Sequence, residues 1–575
     1  MRYREEKVVD IGKYGIIKKE EQMDEYKIKA KIISALEKVL PDVEPTEEEF
    51  SGIMLQNERH HFQLAFFWDE PWRMFKTTIE VGGPLAEYVT VRSVENVPAT
   101  YTPYQTDDFY ISTKSGVYPD VLKPIGKLGC VLPMGKWKAF WVSVYAPNGL
   151  PQGVSDLTFS LYTDPALYQK PREKLAELTY RLEVVGKNAV QNELRLTNWM
   201  HYDCICAKHN VKPFGEKFYK IFSEYLKAYT EIGLNMLFTP LFTPPLDTEM
   251  GGERRTAQLV EVKIENGAYR FDFSKLDKFI RFARAHGIRY FEFSHLFTQH
   301  GGRFCPKIVA KTAEKEEKIF AWETRSDDPR YTSFLEELLP QLCAFIEKRR
   351  LTDCVYFHLT DEPEVKEAFE SYAAASRLVK KYVGKIPVMD AMGETEFYEK
   401  GLVDVPVAVT SSYTRFENIP REKLFVYYAL NPTAEYYSNR FITMPSLRMR
   451  ILGVQLYETG VGGFLHWGFN FYNSARSIEE IDPYGETDAG GLLPAGDGFI
   501  VYPAGDKVYK SIRAELTGEA IRDYNELKTL ETLTDKTFVA EILREFGIRG
   551  YTEYPRDVKT FQRFRRRIVE EIAKR

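Results

Sequence analysis

Residues 355–364 read VYFHLTDEPE, an apolar run ending in two adjacent carboxylates, Asp361 and Glu362, and a proline. A parallel strand buried on both faces has this form, apolar throughout and turning where polar residues begin. Asp361 and Glu362 are therefore expected at the carboxyl end of a strand, where barrels of alternating strands and helices place their chemistry. Paired carboxylates suit sugar hydrolysis, in which one group is an acid and another meets developing positive charge. The competing account makes Asp361 the cap of the next helix and Glu362 part of its first turn; capping and catalysis are compatible.

The ends of the other apolar runs supply candidate partners. His201 and Asp203 follow the first run, and Asp247 and Arg254 lie in the long loop PPLDTEMGGERRTAQ after the second. His295 and Gln299 close the third, Asp390 the fifth and Tyr413 the sixth, while His466, Trp467 and Asn470 lie on the eighth. Hydrogen-bonding side chains beside an aromatic platform are what a pyranose ring needs, and Trp467 is expected to stack on the sugar or wall an acetamido pocket. His466, inside an apolar strand, reads instead as a core histidine bonded to a backbone carbonyl.

A double-displacement retaining glycosidase needs a nucleophile about 5 Å from its acid. The seventh run, LFVYYAL, ends without a carboxylate, and Glu435 is the nearest candidate. The adjacent pair instead suits a substrate whose own 2-acetamido oxygen attacks. Glu362 then protonates the leaving oxygen and later activates water, and Asp361 orients the acetamido nitrogen and stabilises the oxazolinium. Side chains alternate along a strand, so both reach one sugar only if the chain bends at Thr360–Pro363.

Residues 25–190 carry β-rich runs (60–68, 87–94, 138–147, 155–163 and 178–186) separated by Pro and Gly clusters, the pattern of a β-sandwich. From Leu194 eight strand candidates (194–203, 235–244, 289–298, 355–360, 387–392, 406–413, 424–430 and 462–472) alternate with amphipathic helices (214–233, 272–287, 332–350, 365–384, 446–460 and 509–527). The fold class is thus α/β, a (β/α)8 TIM barrel preceded by a β-sandwich. The expected domains are a sandwich over 1–190, a catalytic barrel over 191–530 and a packed helical segment over 531–575. The tail's RFRRR cluster reads as the solvated face of a helix.

A net charge of −5 over 575 residues gives no support for a nucleic-acid or polybasic membrane partner. No run of about 18 apolar residues predicts a membrane span, and the first residues show no signal-peptide core, so the expectation is cytoplasmic. Six scattered cysteines read as reduced core residues, and the Cys204/Cys206 pair is a weak zinc signal.

Seven stretches resemble glycoside hydrolase family 123 and the uncharacterised proteins that share its catalytic domain. They are SGVYPDVL (115–122), PPLDTEMGGERRTAQLVEV (244–262), EFSHLFTQHGG (292–302), HLTDEP (358–363), NRFITMPS (439–446), GFLHWGFNFYNS (463–474) and GDGFIVYPAG (496–505). The resemblance implies a retaining, exo-acting β-N-acetylhexosaminidase, with galactosamine the favoured sugar, working by substrate assistance. It maps the stabiliser onto Asp361 and the acid/base onto Glu362, and implies no metal or organic cofactor. The partner is a small-molecule or oligosaccharide substrate. The alternatives are a double-displacement glycosidase acting on non-acetylated sugars and a non-catalytic carbohydrate-binding protein.

Overall fold

The computed structural model describes residues 28–69, 75–103, 105–127, 129–163, 172–191, 193–246, 251–299, 301–363 and 365–575. Asp247 lies outside the described residues, as does the amino terminus on which the cytoplasmic expectation rests.

Ten amino-terminal strands form two five-stranded sheets. One runs in the order Ile28–Ser34, Glu58–Trp68, Trp137–Ala146, Val89–Ala99, Gly116–Pro124. The other runs Ser51–Gln56, Lys174–Asn188, Gly153–Thr163, Phe75–Gly82, Cys130–Leu132. Alternation sends Leu157, Phe159 and Leu161 of one sheet and Phe62, Leu64 and Phe66 of the other into a shared core. The Phe62 ring lies 3.9 Å from Tyr180 and 5.5 Å from Phe159, both on the facing sheet.

Eight parallel strands then close a barrel: Arg195–Asn198, Met236–Thr239, Tyr290–Phe293, Val355–His358, Val388–Ala391, Val405–Val409, Phe425–Tyr427 and Gly463–His466. Each overlaps an expected run but is shorter, mostly at the carboxyl end: residues 202–203 of the first run open the helix Tyr202–Lys208, and residues 410–413 of the sixth lie in the 3-10 helix Thr410–Phe416. Apolar side chains including Met236, Phe238, Tyr356, Met389, Val407, Phe425 and Leu465 form one cluster that fills the barrel. The helix Glu216–Glu231 shows how the outer layer docks. Phe218, Phe222, Tyr225, Leu226 and Tyr229 recur at three- and four-residue spacing and are buried, and the chain leaves through Gly233 at φ +84.

Three features depart from the sequence reading. The loops after the second and third barrel strands build a four-stranded sheet (Glu261–Glu265, Ala268–Asp272, Ile308–Lys311, Glu316–Phe320) whose charged, short strands carry little apolar signal. The helix expected over 446–460 is two, Ser446–Arg450 and Leu452–Thr459. In the second, a Cβ on Gly453 would stand 1.7 Å from the Ala520 carbonyl, so this crossing requires glycine.

The third is the basic tail cluster. Arg565, on the helix Val558–Ala573, is not on a solvated face: it turns inward onto Asp523 (2.5 Å) and Glu526 (2.9 Å). Both acids belong to the helix Ile512–Leu533, which is capped by Ser511 and wedged between the barrel and the first sheet. Its Arg513 makes a bidentate pair with Asp120 of that sheet, both fully buried. Among the described residues no helix is long and apolar enough to cross a membrane.

Candidate active site

The fourth barrel strand ends at His358, and the next helix begins at Val365, so Asp361 stands four residues ahead of it and does not cap it. The bend needed between the strand and that helix is present. Glu362 sits at φ +45, in the left-handed region and immediately before Pro363, a conformation disfavoured for a side chain of this size. Its N–H donates to the Ala391 carbonyl at 3.1 Å, which pins the turn to the fifth strand. Strained backbone of this kind clusters at functional sites. Glu362 is exposed, Asp361 half-buried and Pro363 buried. The Tyr427 hydroxyl, at the end of the seventh strand, donates to Glu362 Oε1 at 2.6 Å.

Beneath this pair lies a fully buried charged cluster. His358 Nδ1 is 2.7 Å from Glu292 Oε1, and Nε2 is 3.4 Å from Asp390 Oδ1. Burial alone would lower the His358 pKa, but the two carboxylates overcome it and raise it to about 10, so the ring is an imidazolium. Glu292 also accepts from Trp199 Nε1 (2.8 Å) and Thr197 Oγ1 (3.1 Å). Asp390 Oδ2 accepts from the Thr360 N–H (2.9 Å) and hydroxyl (3.0 Å), holding the segment that leads to Asp361.

His295 stacks on His358, with ring centroids 4.1 Å apart, and neither of its ring nitrogens has a hydrogen-bond partner among the described residues. Burial and the His358 charge push its pKa well down and keep it neutral. Burial and the charge of Glu362 push Asp361 well up, against the opposing pull of His358. The pair therefore holds a proton above the usual carboxylate range. Ligand atoms of His295, His358 and Asp361 all lie within 4.8 Å of one another, the one group of this kind among the described residues.

A second cluster joins the ends of the first and eighth strands. Asn470 accepts from the His201 N–H (2.9 Å) and donates to the His201 carbonyl (3.0 Å). His201 Nε2 meets the Trp467 carbonyl at 2.9 Å and Nδ1 meets Arg254 Nη2 at 3.2 Å. Burial and the Arg254 charge lower its pKa to about 3, which fixes the neutral tautomer protonated on Nε2. Arg254 grips Asp203 through Nε (2.8 Å) and Nη2 (2.7 Å). Burial pulls Asp203 up, but Arg254 holds it below the usual carboxylate range. Half-buried Trp467 donates from Nε1 to Asp497 at 2.9 Å, and burial raises the Asp497 pKa to about 6 despite Arg440. His466 is buried, as expected of a core histidine, but its Nδ1 accepts from the Gly468 N–H at 3.1 Å instead of bonding a carbonyl.

The structure thus gathers His295 and Asp390 around the Asp361–Glu362 pair, and His201, Asp203, Arg254, Trp467 and Asn470 into the second cluster. Gln299 is half-buried in the loop after the third strand. Tyr413 lies in a separate groove of about 700 Å³, its hydroxyl on the Thr459 carbonyl (3.3 Å) and its ring 5.3 Å from Tyr551. Glu435 is exposed in the loop after the seventh strand. Sequence reasoning missed Glu292, His358, Trp199 and Tyr427. The available signal was a Glu and a His at the inward positions of otherwise apolar strands, YFEF and VYFH.

A family model described as "Glycoside hydrolase 123, catalytic domain" matches residues 199–530. The whole structure is similar to a family 123 glycoside hydrolase from Clostridium perfringens studied for glycolipid glycan hydrolysis. The TM-score is 0.69 at 14% identity, covering 95% of this chain and 97% of that one, a likeness of fold. A β-D-glucuronidase from Dictyoglomus thermophilum matches at TM-score 0.33 and 10% identity over 87% of this chain and 98% of that one. A β-glucuronidase from Bacteroides uniformis matches at 0.30 and 12% over 82% and 48%. No curated protein sequence matches the chain.

Proposed function

The chain belongs to glycoside hydrolase family 123 and is a glycoside hydrolase, and on that premise we propose that it is a retaining, exo-acting β-N-acetylhexosaminidase with N-acetylgalactosamine as the favoured terminal sugar. The observation that carries the reading is the disposition of carboxylates. Asp361 and Glu362 are adjacent on a strained turn, while Glu292 and Asp390, the buried carboxylates beside them, are both tied to His358. A carboxylate neutralised by an imidazolium is a poor nucleophile, which leaves the substrate's own acetamido oxygen to attack.

In the first step that oxygen bonds to C1 as the C1–O glycosidic bond breaks, and Glu362 gives its proton to the leaving oxygen. Tyr427 stabilises the carboxylate this leaves behind. The reaction requires Glu362 to carry the proton and Asp361 the negative charge that faces the oxazolinium nitrogen, and the His358 charge works in that direction against burial and the neighbouring carboxylates. In the second step Glu362 takes a proton from water as the water oxygen bonds to C1, restoring the acetamide and the β configuration. Trp467, Arg254 and His201 are proposed to bound the sugar pocket. In this reading residues 1–190 buttress a catalytic barrel over 191–530, and 531–575 pack on the barrel.

The test is release of nitrophenol from a panel of 4-nitrophenyl β-glycosides, with Asp361→Asn and Glu362→Gln beside the wild type. Turnover confined to N-acetylated sugars is expected. Comparable turnover of plain hexosides would move the nucleophile to another carboxylate, such as Glu435, and sink the substrate-assisted reading.

A further inference from the structure

The cluster beneath Asp361 offers more ligand atoms than its hydrogen bonds use. Among the described residues both nitrogens of His295 lack a hydrogen-bond partner, while His358 Nε2 and Asp390 Oδ1 share only a long ion-pair contact of 3.4 Å, and all three residues are at most 1% exposed. Buried polar atoms are nearly always satisfied, and an unpaired group of them marks a place built for something else. We propose that His295, His358 and Asp361 form a divalent transition-metal site, and that a zinc-class ion held there switches hydrolysis off.

Three observations support the site besides the unpaired atoms. The ligand atoms of His295, His358 and Asp361 already lie within 4.8 Å of one another. A tetrahedral zinc-class ion with bonds of about 2.1 Å needs its ligands about 3.4 Å apart, so small side-chain rotations close the site. His358 also carries the partner that metal-ligating histidines have. Its Nδ1 is 2.7 Å from Glu292, itself held by Trp199 and Thr197, which leaves Nε2 aimed inward. Trp199 stands edge-on to both imidazoles, 5.2 Å from His295 and 5.4 Å from His358, and fixes their planes. Two imidazoles with carboxylates select zinc, cobalt or nickel over magnesium or calcium.

Loading forms a metal–Nε2 bond at His358 and releases that nitrogen's proton to solvent, so one cation replaces another between Glu292, Asp390 and Asp361. Asp361 then faces the metal and not the sugar. This consequence rests on the role proposed for Asp361, whereas the binding does not.

The test uses the full chain, stripped with EDTA and titrated with Co2+ while the visible d–d absorption of a tetrahedral ion is recorded. Zn2+ is then titrated calorimetrically and against turnover. We expect one equivalent per chain, binding weakened at least about 10-fold by His295→Phe and by Asp361→Asn, and weakened about 10- to 100-fold by Glu292→Gln. Asp361→Asn, at the solvent side of the cluster, serves if His295→Phe fails to fold. Absence of the band in the wild type, or equal affinity in the variants, overturns the site. Metal bound with undiminished turnover overturns the switch and the role given to Asp361. A chain that turns over no substrate still yields the cobalt readout, so the site and the proposed function fail separately.

Discussion

The two polar clusters at the barrel's carboxyl face treat buried groups in opposite ways. At the first and eighth strands, Asn470 brackets the His201 backbone with both ends of its amide, and Arg254 meets Asp203, His201 and the Leu246 carbonyl in one fork. At the third, fourth and fifth strands, His295 has no hydrogen-bond partner among the described residues, Glu362 is held at positive φ, and an imidazolium balances two carboxylates with a third close by. The first arrangement fixes shape. The second stores strain and unbalanced charge, which is how sites of chemistry differ from scaffolds.

The comparison breaks most clearly at the proposed catalytic pair. Glu362→Gln and Asp361→Asn are each expected to lower kcat on a substrate with a poor leaving group by about 100- to 10,000-fold. Their melting temperatures should be unchanged or raised, because Asp361 is held in an unfavourable state. Steady-state kinetics beside a thermal melt checks both, and a large drop in melting temperature would class the pair with the scaffold.

Next in size are the charges that support each cluster. His358→Gln leaves Glu292 and Asp390 buried without their cation, and Arg254→Met does the same to Asp203; each is expected to cost about 3–5 kcal/mol in denaturant unfolding. The two should separate by function. His358→Gln also lowers kcat in the protein that remains folded, whereas Arg254→Met acts mainly through stability and KM. Equal effects on kcat would erase the distinction between scaffold and reacting centre.

Tyr427→Phe is a finer probe. It removes one charge-assisted hydrogen bond to Glu362, with an expected loss of about 1.5–3 kcal/mol in transition-state stabilisation, read as kcat/KM, and little change in melting temperature. Full activity in this variant would detach Tyr427 from the acid.

The last probe is the pH dependence of stability. His201 is lowered to about 3, so the stability it contributes is present above its usual value of about 6.5 and is lost as pH falls towards 3. His358 is raised to about 10, so its contribution is complete below about 6.5 and is lost as pH rises through 10. The stability deficit of His358→Gln relative to wild type should therefore shrink between pH 7 and pH 10. A deficit that grows over that range would contradict an imidazolium at this position.

Much of this architecture is legible before folding. All eight barrel strands stand out because each is a short run buried on both faces, and burial of that kind leaves an apolar signature in the local sequence. The sheet formed by 261–272 and 308–320 is not legible, because EVKIE, AYRFD and EEKIF expose charges on one side and are too short for alternation to register. The helix break near Ile451 is hidden for a related reason: SLRMR and LGVQLYET are each good helix sequence, and only the packing around Gly453 separates them.

The candidate site divides along the same line. The sequence by itself determined that Asp361 and Glu362 follow a buried strand and that the chain must bend at Pro363, since periodicity and proline act on near neighbours. It also placed His201, Asp203, His295, Asp390 and Asn470 at strand ends. Tertiary structure alone decided that Asn470 and His201 lock each other's backbone, that Arg254 closes on Asp203, and that Tyr427 reaches Glu362 from the far side of the barrel. It alone made His358 an imidazolium between Glu292 and Asp390, because a pKa is set by which charges barrel closure brings within a few ångströms, and closure joins residues that are distant in the chain.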